Sequence, residues 1–585
     1  MKKSILYILA ASAVVLMSCD DFLDKDPRDT FTASDKFWSN TNMVSSYCNG
    51  FYYKYGDAND FYFPSLNDDQ DNPVFDNWTF VAVPGKSTYW SNNFTTVRQA
   101  NYIIDGVKRS SMNSANKNLY EAIGRLNRAW AYYNLVRAYG DVQWENTVIE
   151  SSSDEAVYGE RTDRDIVMDS VLADLDFAIQ YLPSQGSDRT QFCKQMALAV
   201  KSDVCLYEGT YCKYRTQTDN GKAPDATRAA KYFKECTNAS EALMDGTYKL
   251  TTNYGEIYNS LELNGNSEII FYKNYQKDVL SHGLCDYTSG STTQRGISKD
   301  CIDAFLFLDG KPKATTTLDT DDKAVLESKT YTTADGSSKT IQFYSIGKLL
   351  ANKDKRLSVL VDSVICFSGH GWIRPNTDDC KNPSTNYQVT LPAEMTSSTG
   401  YTIRKYDNST LENYYRTNTN TNYTDIPLYW YAVILLNEAE AKAELGTITQ
   451  TDLNKTVNLL QARAGLPNMT LQPEADPANN MGVSNLLWEI RRCRRCELTC
   501  DKNYRYWDMV RWHQLDKLDS KVHTDINRGA NISNVTDLNS GVSRDDNGYI
   551  IATKAVRTFS NKYYFYPVPD NELNLNKSIK QNPNW

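Results

Sequence analysis

The chain has 585 residues and a formal net charge of −9 with no long basic run, which excludes nucleic acid as a partner. No apolar stretch after residue 17 approaches the roughly 18 residues that would mark a spanning helix. A body this long builds its own core, so the 13 cysteines require no disulfide framework and read mostly as small buried hydrophobes.

In chain order, Lys2 and Lys3 precede an apolar run from Ile5 to Met17, which ends in Ser18-Cys19-Asp20-Asp21. A positive start, a short apolar run and a small residue before cysteine form the pattern of a bacterial lipoprotein signal. It predicts removal of residues 1–18, a lipid on Cys19, and a mature body of residues 19–585 tethered to a membrane. Residues 57–91 are rich in Asp, Asn, Pro and aromatics with no sustained period and read as loop. From Leu119 the apolar positions Ala122, Ile123, Leu126, Trp130, Tyr133 and Val136 follow helical spacing, and Gly140 stops them. Gln195 to Tyr211 is rich in small residues, as close helix packing requires, and Arg228 to Asp245 reads as another helix before Gly246.

Residues 280–425 are rich in Thr, Ser, Gly and Asn, with alternating pieces such as Thr340 to Tyr344 that predict short strands. Pro427 is expected to open a long helix through Leu445, closed by Gly446. Asp452 is expected to cap the next, which carries Leu453, Val457 and Leu460 before Gly465. A further helix covers about Asn485 to Cys500, and residues 519–555 turn polar again. The expected fold is all-α: a tetratricopeptide-like scaffold of helical hairpins over about 30–56, 92–260 and 427–518. It carries large irregular loop excursions over about 57–91, 280–425 and 519–555, and a few short strands.

No serine nucleophile elbow, metalloprotease helix or phosphate-binding glycine loop occurs, while a glycosidase carboxylate pair stays open, because its roughly 5 to 10 Å separation arises only in the fold. Cys493, Cys496 and Cys500 share one helix face, but a regular helix does not fold three thiolates round a tetrahedral ion, and no metal site is expected. The acidic runs Asp68-Asp69-Gln70-Asp71-Asn72 and Asp319-Thr320-Asp321-Asp322 lack the glycine and distal glutamate of a calcium loop and read as solvated loops. The first could still hydrogen-bond a ligand through Asp68, Asp71 and Asn72. Aromatics on polar, glycine-bearing loops suit ligand platforms, because a flat apolar face with a polar tip stacks on sugar rings. Trp78 and Phe75 beside the acidic run, Tyr287, and Trp372 with Arg374 are the leading candidates, with Tyr62 and Tyr89 behind them. Trp38, Trp90, Trp130, Trp507 and Trp512 fit core packing instead.

Several ordered segments resemble the SusD/RagB family of outer-membrane nutrient-binding lipoproteins. They include Cys19-Asp20-Asp21-Phe22-Leu23-Asp24, Arg128-Ala129-Trp130-Ala131-Tyr132-Tyr133, Leu206-Tyr207-Glu208-Gly209 and Ala462-Arg463-Ala464-Gly465-Leu466-Pro467. Arg505-Tyr506-Trp507-Asp508 and the ending Gln581-Asn582-Pro583-Asn584-Trp585 complete the order. Cys493 and Cys496 stand where relatives usually carry glutamates, and Gln143 and Val433 also depart from the family pattern. The resemblance implies a protein lipid-anchored in the outer membrane through Cys19, facing the cell exterior, which captures an oligosaccharide or polysaccharide fragment. It further implies a binding protein without catalytic residues or cofactors, delivery to a SusC-like TonB-dependent transporter, and an aromatic arc drawn from the regions of Trp78, Tyr287 and Trp372. The alternatives are a transporter-complex subunit for peptide or other non-glycan cargo, and a surface glycoside hydrolase.

Overall fold

In the computed structural model, residues 34–64, 66–149, 155–217, 221–289, 293–332, 336–370, 396–408 and 410–585 are described. The signal segment, Cys19, Trp372 and Arg374 lie outside the described residues. Helices form where the apolar spacing and caps require them. The helix α1 (Thr88–Arg109) starts under Ser87, whose side chain accepts from the Trp90 amide. Helix α2 (Ser114–Tyr139) starts under Asn113 and ends at Gly140, whose φ of 74° suits a residue without Cβ. Helices α3 (Arg164–Tyr181), α4 (Lys194–Tyr214) and α5 (Ala226–Glu241) follow. Each packs on its predecessor or its hairpin partner through short connections.

Small residues set the closest approaches. A Cβ on Gly209 of α4 would stand 2.8 Å from the Phe233 ring of α5, and one on Gly124 of α2 would meet Ile104 of α1 at 2.9 Å. After residue 242 the chain leaves the scaffold and returns as α6 (Tyr431–Leu445), which lies against both α4 and α5. The helices α7 (Val457–Ala464), α8 (Asn485–Glu497) and α9 (Tyr504–Arg511) complete the layer. Gly446 and Gly465 close α6 and α7 in the left-handed conformation, as the sequence implied.

Two expected boundaries are corrected. Pro427 does not open the helix: it lies inside a strand, Ile426–Trp430, that pairs antiparallel with Ile269–Lys273. The five apolar and aromatic residues before Tyr431 are buried on every side and find their hydrogen-bond partner over 150 residues upstream. Asp452 is not the cap of its helix. Thr449 caps it, and the Asp452 side chain reaches back to the Thr449 amide in a capping box.

Among the described residues the loop excursions are more ordered than their composition suggested. They build one six-stranded sheet of β1 (Gln70–Asp71), β2 (Gly296–Ile297), β3 (Val325–Thr332), β4 (Ser338–Ser345), β5 (Val361–Ile365) and β6 (Tyr401–Ile403), with spatial order β1-β2-β6-β5-β4-β3. The pair β3–β4 matches Val325 with Ser345 through Thr332 with Ser338, and so contains the expected strand at Thr340 to Tyr344. The third excursion joins the same lobe: the Ala530 amide donates to the Thr399 carbonyl at 2.7 Å and the Ala324 amide to the Asn531 carbonyl at 2.8 Å. A continuous core runs through scaffold and lobe from Trp38 to Ile579. Trp38, Trp90, Trp130, Trp507 and Trp512 are all buried.

Charged side chains complete that core. Glu440 on α6 accepts both terminal nitrogens of Arg511 at 2.6 and 2.7 Å and the Trp512 indole at 2.6 Å. Arg494 of α8 donates to Asp508 of α9 at 2.8 Å, and Arg491 to Glu444 at 2.8 Å. All eleven described cysteines are buried. Cys493 lies 3.8 Å from an Arg356 nitrogen, and Cys496 points at the Ala304 carbonyl. Among the described residues one cluster has metal-ligand spacing: Asp165, Glu208 and Cys212. Arg164, Arg215, Arg228 and Lys222 already occupy its carboxylates, so four cations stand where an ion would sit.

Candidate functional site

The acidic run is not a solvated loop. Asp68 and Asp69 are 3% and 1% exposed, because guanidinium groups from the scaffold compensate them. Arg505 holds Asp68 in a two-bonded fork at 2.7 and 2.7 Å. Arg495 bridges Asp69 and Asp300 at 2.7 Å each. Burial alone would raise the Asp68 pKa, but Arg495 and Arg505 overcome it and hold the carboxyl well below the usual range. Asp68 is therefore an anchor of the loop to α8 and α9, and its lone pairs are committed there. In the second acidic run Asp319 and Asp321 are exposed, while Asp322 is buried against Lys313, Asn531 and Tyr549.

With the run anchored, β1 pairs with β2 and brings the chain around Tyr62 and Phe63 beside Tyr287, Gln294 and Arg295. Tyr62 turns the chain with a φ of 58°, and its amide donates to the Cys500 carbonyl at 3.3 Å. Its hydroxyl donates to Gln294 at 3.0 Å. The Phe63 ring meets Tyr287 edge-on at 4.6 Å, and Tyr62 meets Tyr287 at 5.5 Å. The Arg295 guanidinium lies 5.5 Å from the Tyr62 ring centre and donates to the Phe63 carbonyl. Tyr287 is 38% exposed and Phe63 and Arg295 are half-buried, so an aromatic step with a cationic edge faces outward. Asn72 and Phe75 are half-buried on the adjoining loop, whose Val74 is fully presented to solvent.

Of the sequence candidates, Tyr287 is thus exposed against Phe63, while Asn72 and Phe75 are half-buried on the loop that follows β1. Trp78 is placed elsewhere. It is 5% exposed, stacks on Tyr563 at 4.2 Å, and donates its indole N–H to the Thr558 carbonyl at 2.8 Å. Its faces are taken up by packing, and it offers none to a ligand. Phe63 and Arg295 were missed by the sequence reading. No local pattern marks them, since their proximity depends on strand pairing across more than 220 residues.

Asp71 is also interior, 7% exposed, with Oδ1 accepting the Asn72 amide and Oδ2 without a hydrogen-bond partner among the described residues. Burial raises its pKa to about 6. The charged form therefore costs stability, and that cost grows as pH rises from 3.8 to about 6. Asp71→Asn is expected to match the natural protein in stability at pH 4 and to exceed it by about 2 kcal/mol at pH 7. Urea denaturation at both pH values checks this; a variant equally or less stable at pH 7 contradicts it.

Comparison with known proteins gives a consistent result. Residues 258–585 match the SusD family, and residues 21–206 match a family described as starch-binding associating with outer membrane. A SusD-like protein of Bacteroides ovatus is 26% identical over 278 residues, 44% of this chain and 47% of its own length. SusD-like protein P2 of Formosa agariphila is 24% identical over 212 residues, 36% and 38% of the two chains. The matched stretches thus span less than half the length of these curated relatives. A SusD-like carbohydrate-binding protein from Bacteroides fragilis superposes with a TM-score of 0.67 at 20% identity, covering 93% of this chain and all of the other. A second SusD-like protein from B. fragilis gives 0.66 at 22%, covering 96% and 100%. A laminarin-binding SusD-like protein gives 0.50 at 17%, covering 94% and 100%. At these identities the structural likeness establishes the fold: a mainly helical, tetratricopeptide-like scaffold.

Proposed function

This chain belongs to the SusD family, and from that premise we propose that it is a cell-surface lipoprotein that binds a glycan. It captures an oligosaccharide on the lobe face around Tyr287 and delivers it to a SusC-like TonB-dependent transporter, anchored in the outer membrane through a lipid on Cys19. Binding involves no chemistry on the ligand. The observation that carries this reading is the outward aromatic step of Phe63 and Tyr287 beside Arg295. A pyranose ring stacks its C–H face on such a step, and its hydroxyls accept from the guanidinium. The outer-membrane description of the matched family and the laminarin-binding neighbour are consistent with it. Ordering a flexible sugar and desolvating its hydroxyls offset much of the contact energy, so affinity is modest.

Native electrophoresis through gels containing laminarin, amylopectin, xylan or galactan tests the reading. At least one polysaccharide is expected to retard the protein, and Phe63→Ala/Tyr287→Ala to migrate freely in that gel while keeping its thermal midpoint. Retardation unchanged in the double variant refutes the site. Reducing ends released from a retained polysaccharide by purified protein, or no retention in any gel together with peptide copurifying on the transporter complex, refutes the function.

A further inference from the structure

A cavity of about 500 Å³ opens in the helical scaffold, lined by none of the lobe-face residues named above. Exposed Tyr53, Asn59, Thr88 and Asn92 form its mouth, and half-buried Tyr89 stands beside them. Aromatic side chains from three layers make its walls: Tyr55, Trp130, Tyr133, Tyr207, Tyr504 and Trp507.

Polar side chains of the residues that line this cavity have unpartnered atoms. Asp203 of α4 is 9% exposed and makes no hydrogen bond or ion pair within the described residues, although Arg494 and Lys502 are its nearest compensating charges. The Asn134 side-chain oxygen and the Tyr504 hydroxyl, both on residues 8% exposed, also lack partners. The Arg137 Nε is unpartnered, while its guanidinium lies 4.3 Å from the Trp507 ring. Lys502 donates to the Leu428 carbonyl at 2.6 Å and keeps further N–H groups. It is held there by a turn in which Cys500, Lys502 and Asn503 all have positive φ, at 67, 44 and 57°. Burial lowers the Lys502 pKa to about 8. By contrast, Asp508, Arg494 and Arg511 satisfy one another and belong to the frame.

An unmatched buried acceptor costs about 1–3 kcal/mol, and more when it is charged, so the unpartnered Asp203 carboxylate on the cavity wall points to a ligand that supplies donors. Its character follows from the lining. Asp57, Asp60 and Asp203 balance Lys54, Arg137 and Lys502, so the site is near neutral and has no net preference for an ion. Acceptors and donors stand together with aromatic walls, which suits a molecule with many hydroxyls and an apolar ring face. We propose that this cavity is a second binding site, for a neutral mono- or disaccharide, with a pair of sugar hydroxyls donating to Asp203. The cavity would hold its ligand whether or not the lobe face binds a glycan.

Saturation-transfer NMR on the purified protein, with glucose, galactose, mannose, N-acetylglucosamine, maltose and cellobiose as probes, tests this. At least one sugar is expected to receive saturation. Asp203→Asn should weaken its binding by about tenfold, since a bond to a charged acceptor is lost. Asn92→Trp, an exposed change at the mouth, should block it without touching Asp203. Phe63→Ala/Tyr287→Ala should leave it unchanged. No transfer to any of the six sugars overturns the proposal. So does a bound sugar indifferent to both cavity variants, or one lost in the lobe-face variant instead. If Asp203→Asn lowers the thermal midpoint markedly, Asn92→Trp alone decides.

Discussion

Glu440→Gln is expected to destabilise the protein by about 3–5 kcal/mol at pH 7, the largest effect of any single substitution named here. Glu440 is fully buried and receives both arms of Arg511 and the Trp512 indole. Burial alone would raise its pKa, but Arg511, then Arg494 and Arg491, overcome it and depress the value. Glutamine keeps the shape and loses the charge, leaving the three buried guanidinium groups of Arg491, Arg494 and Arg511 to share Glu444 and Asp508. The sign of the pH dependence follows. A carboxyl with a depressed folded pKa contributes stability above its unfolded value of about 4.5, and loses it as pH falls toward the folded one. The gap between variant and natural protein should be widest at neutral pH and close as pH drops below about 4. Urea denaturation followed by tryptophan fluorescence at pH 7 and pH 4 measures both. A neutral-pH gap below about 0.5 kcal/mol would sink the account.

Asp68→Asn is expected to cost about 3 kcal/mol and, more tellingly, to free residues 62–72 from the scaffold. Asp68 is the one group that receives the Arg505 fork, and it lies within 3.4 Å of Arg495 as well. Limited proteolysis should cut the variant first near Tyr62 to Asp71 while the helices stay intact. Glycan retention on the lobe face should fall with it, because Phe63 loses its position against Tyr287. Asp68→Asn/Arg505→Gln should recover part of the stability, since neither partner is then left charged and alone. A double-variant cycle giving a coupling near zero would show the fork to be incidental.

How much of this was legible in the sequence depended on how far each residue's partner lay. The Leu119 to Val136 periodicity, Gly140, Gly446 and Gly465 are local signals, and the helices formed where they indicated. Pro427 misled because an apolar pentapeptide ahead of a helix reads the same whether it is the first turn or a buried strand. Only its pairing with Ile269–Lys273 distinguishes them. The acidic run misled for the same reason on a longer scale. Five polar residues in a row imply water, and their compensating arginines lie more than 420 positions away. Trp78 and Phe63 show the limit at the site itself. Both are aromatics on a polar loop, and tertiary packing alone turned one inward against Tyr563 and the other toward Tyr287.

The eleven described cysteines, all buried, give the molecule a built-in record of its own opening. Burial raises the thiol pKa of Cys493 to about 11 and of Cys496 to about 12, so neither forms appreciable thiolate at neutral pH. Cys48, Cys205, Cys301 and Cys496 sit in different parts of the same core. A brief pulse of alkylating reagent therefore marks only the region that has transiently opened, and the modified peptide names it.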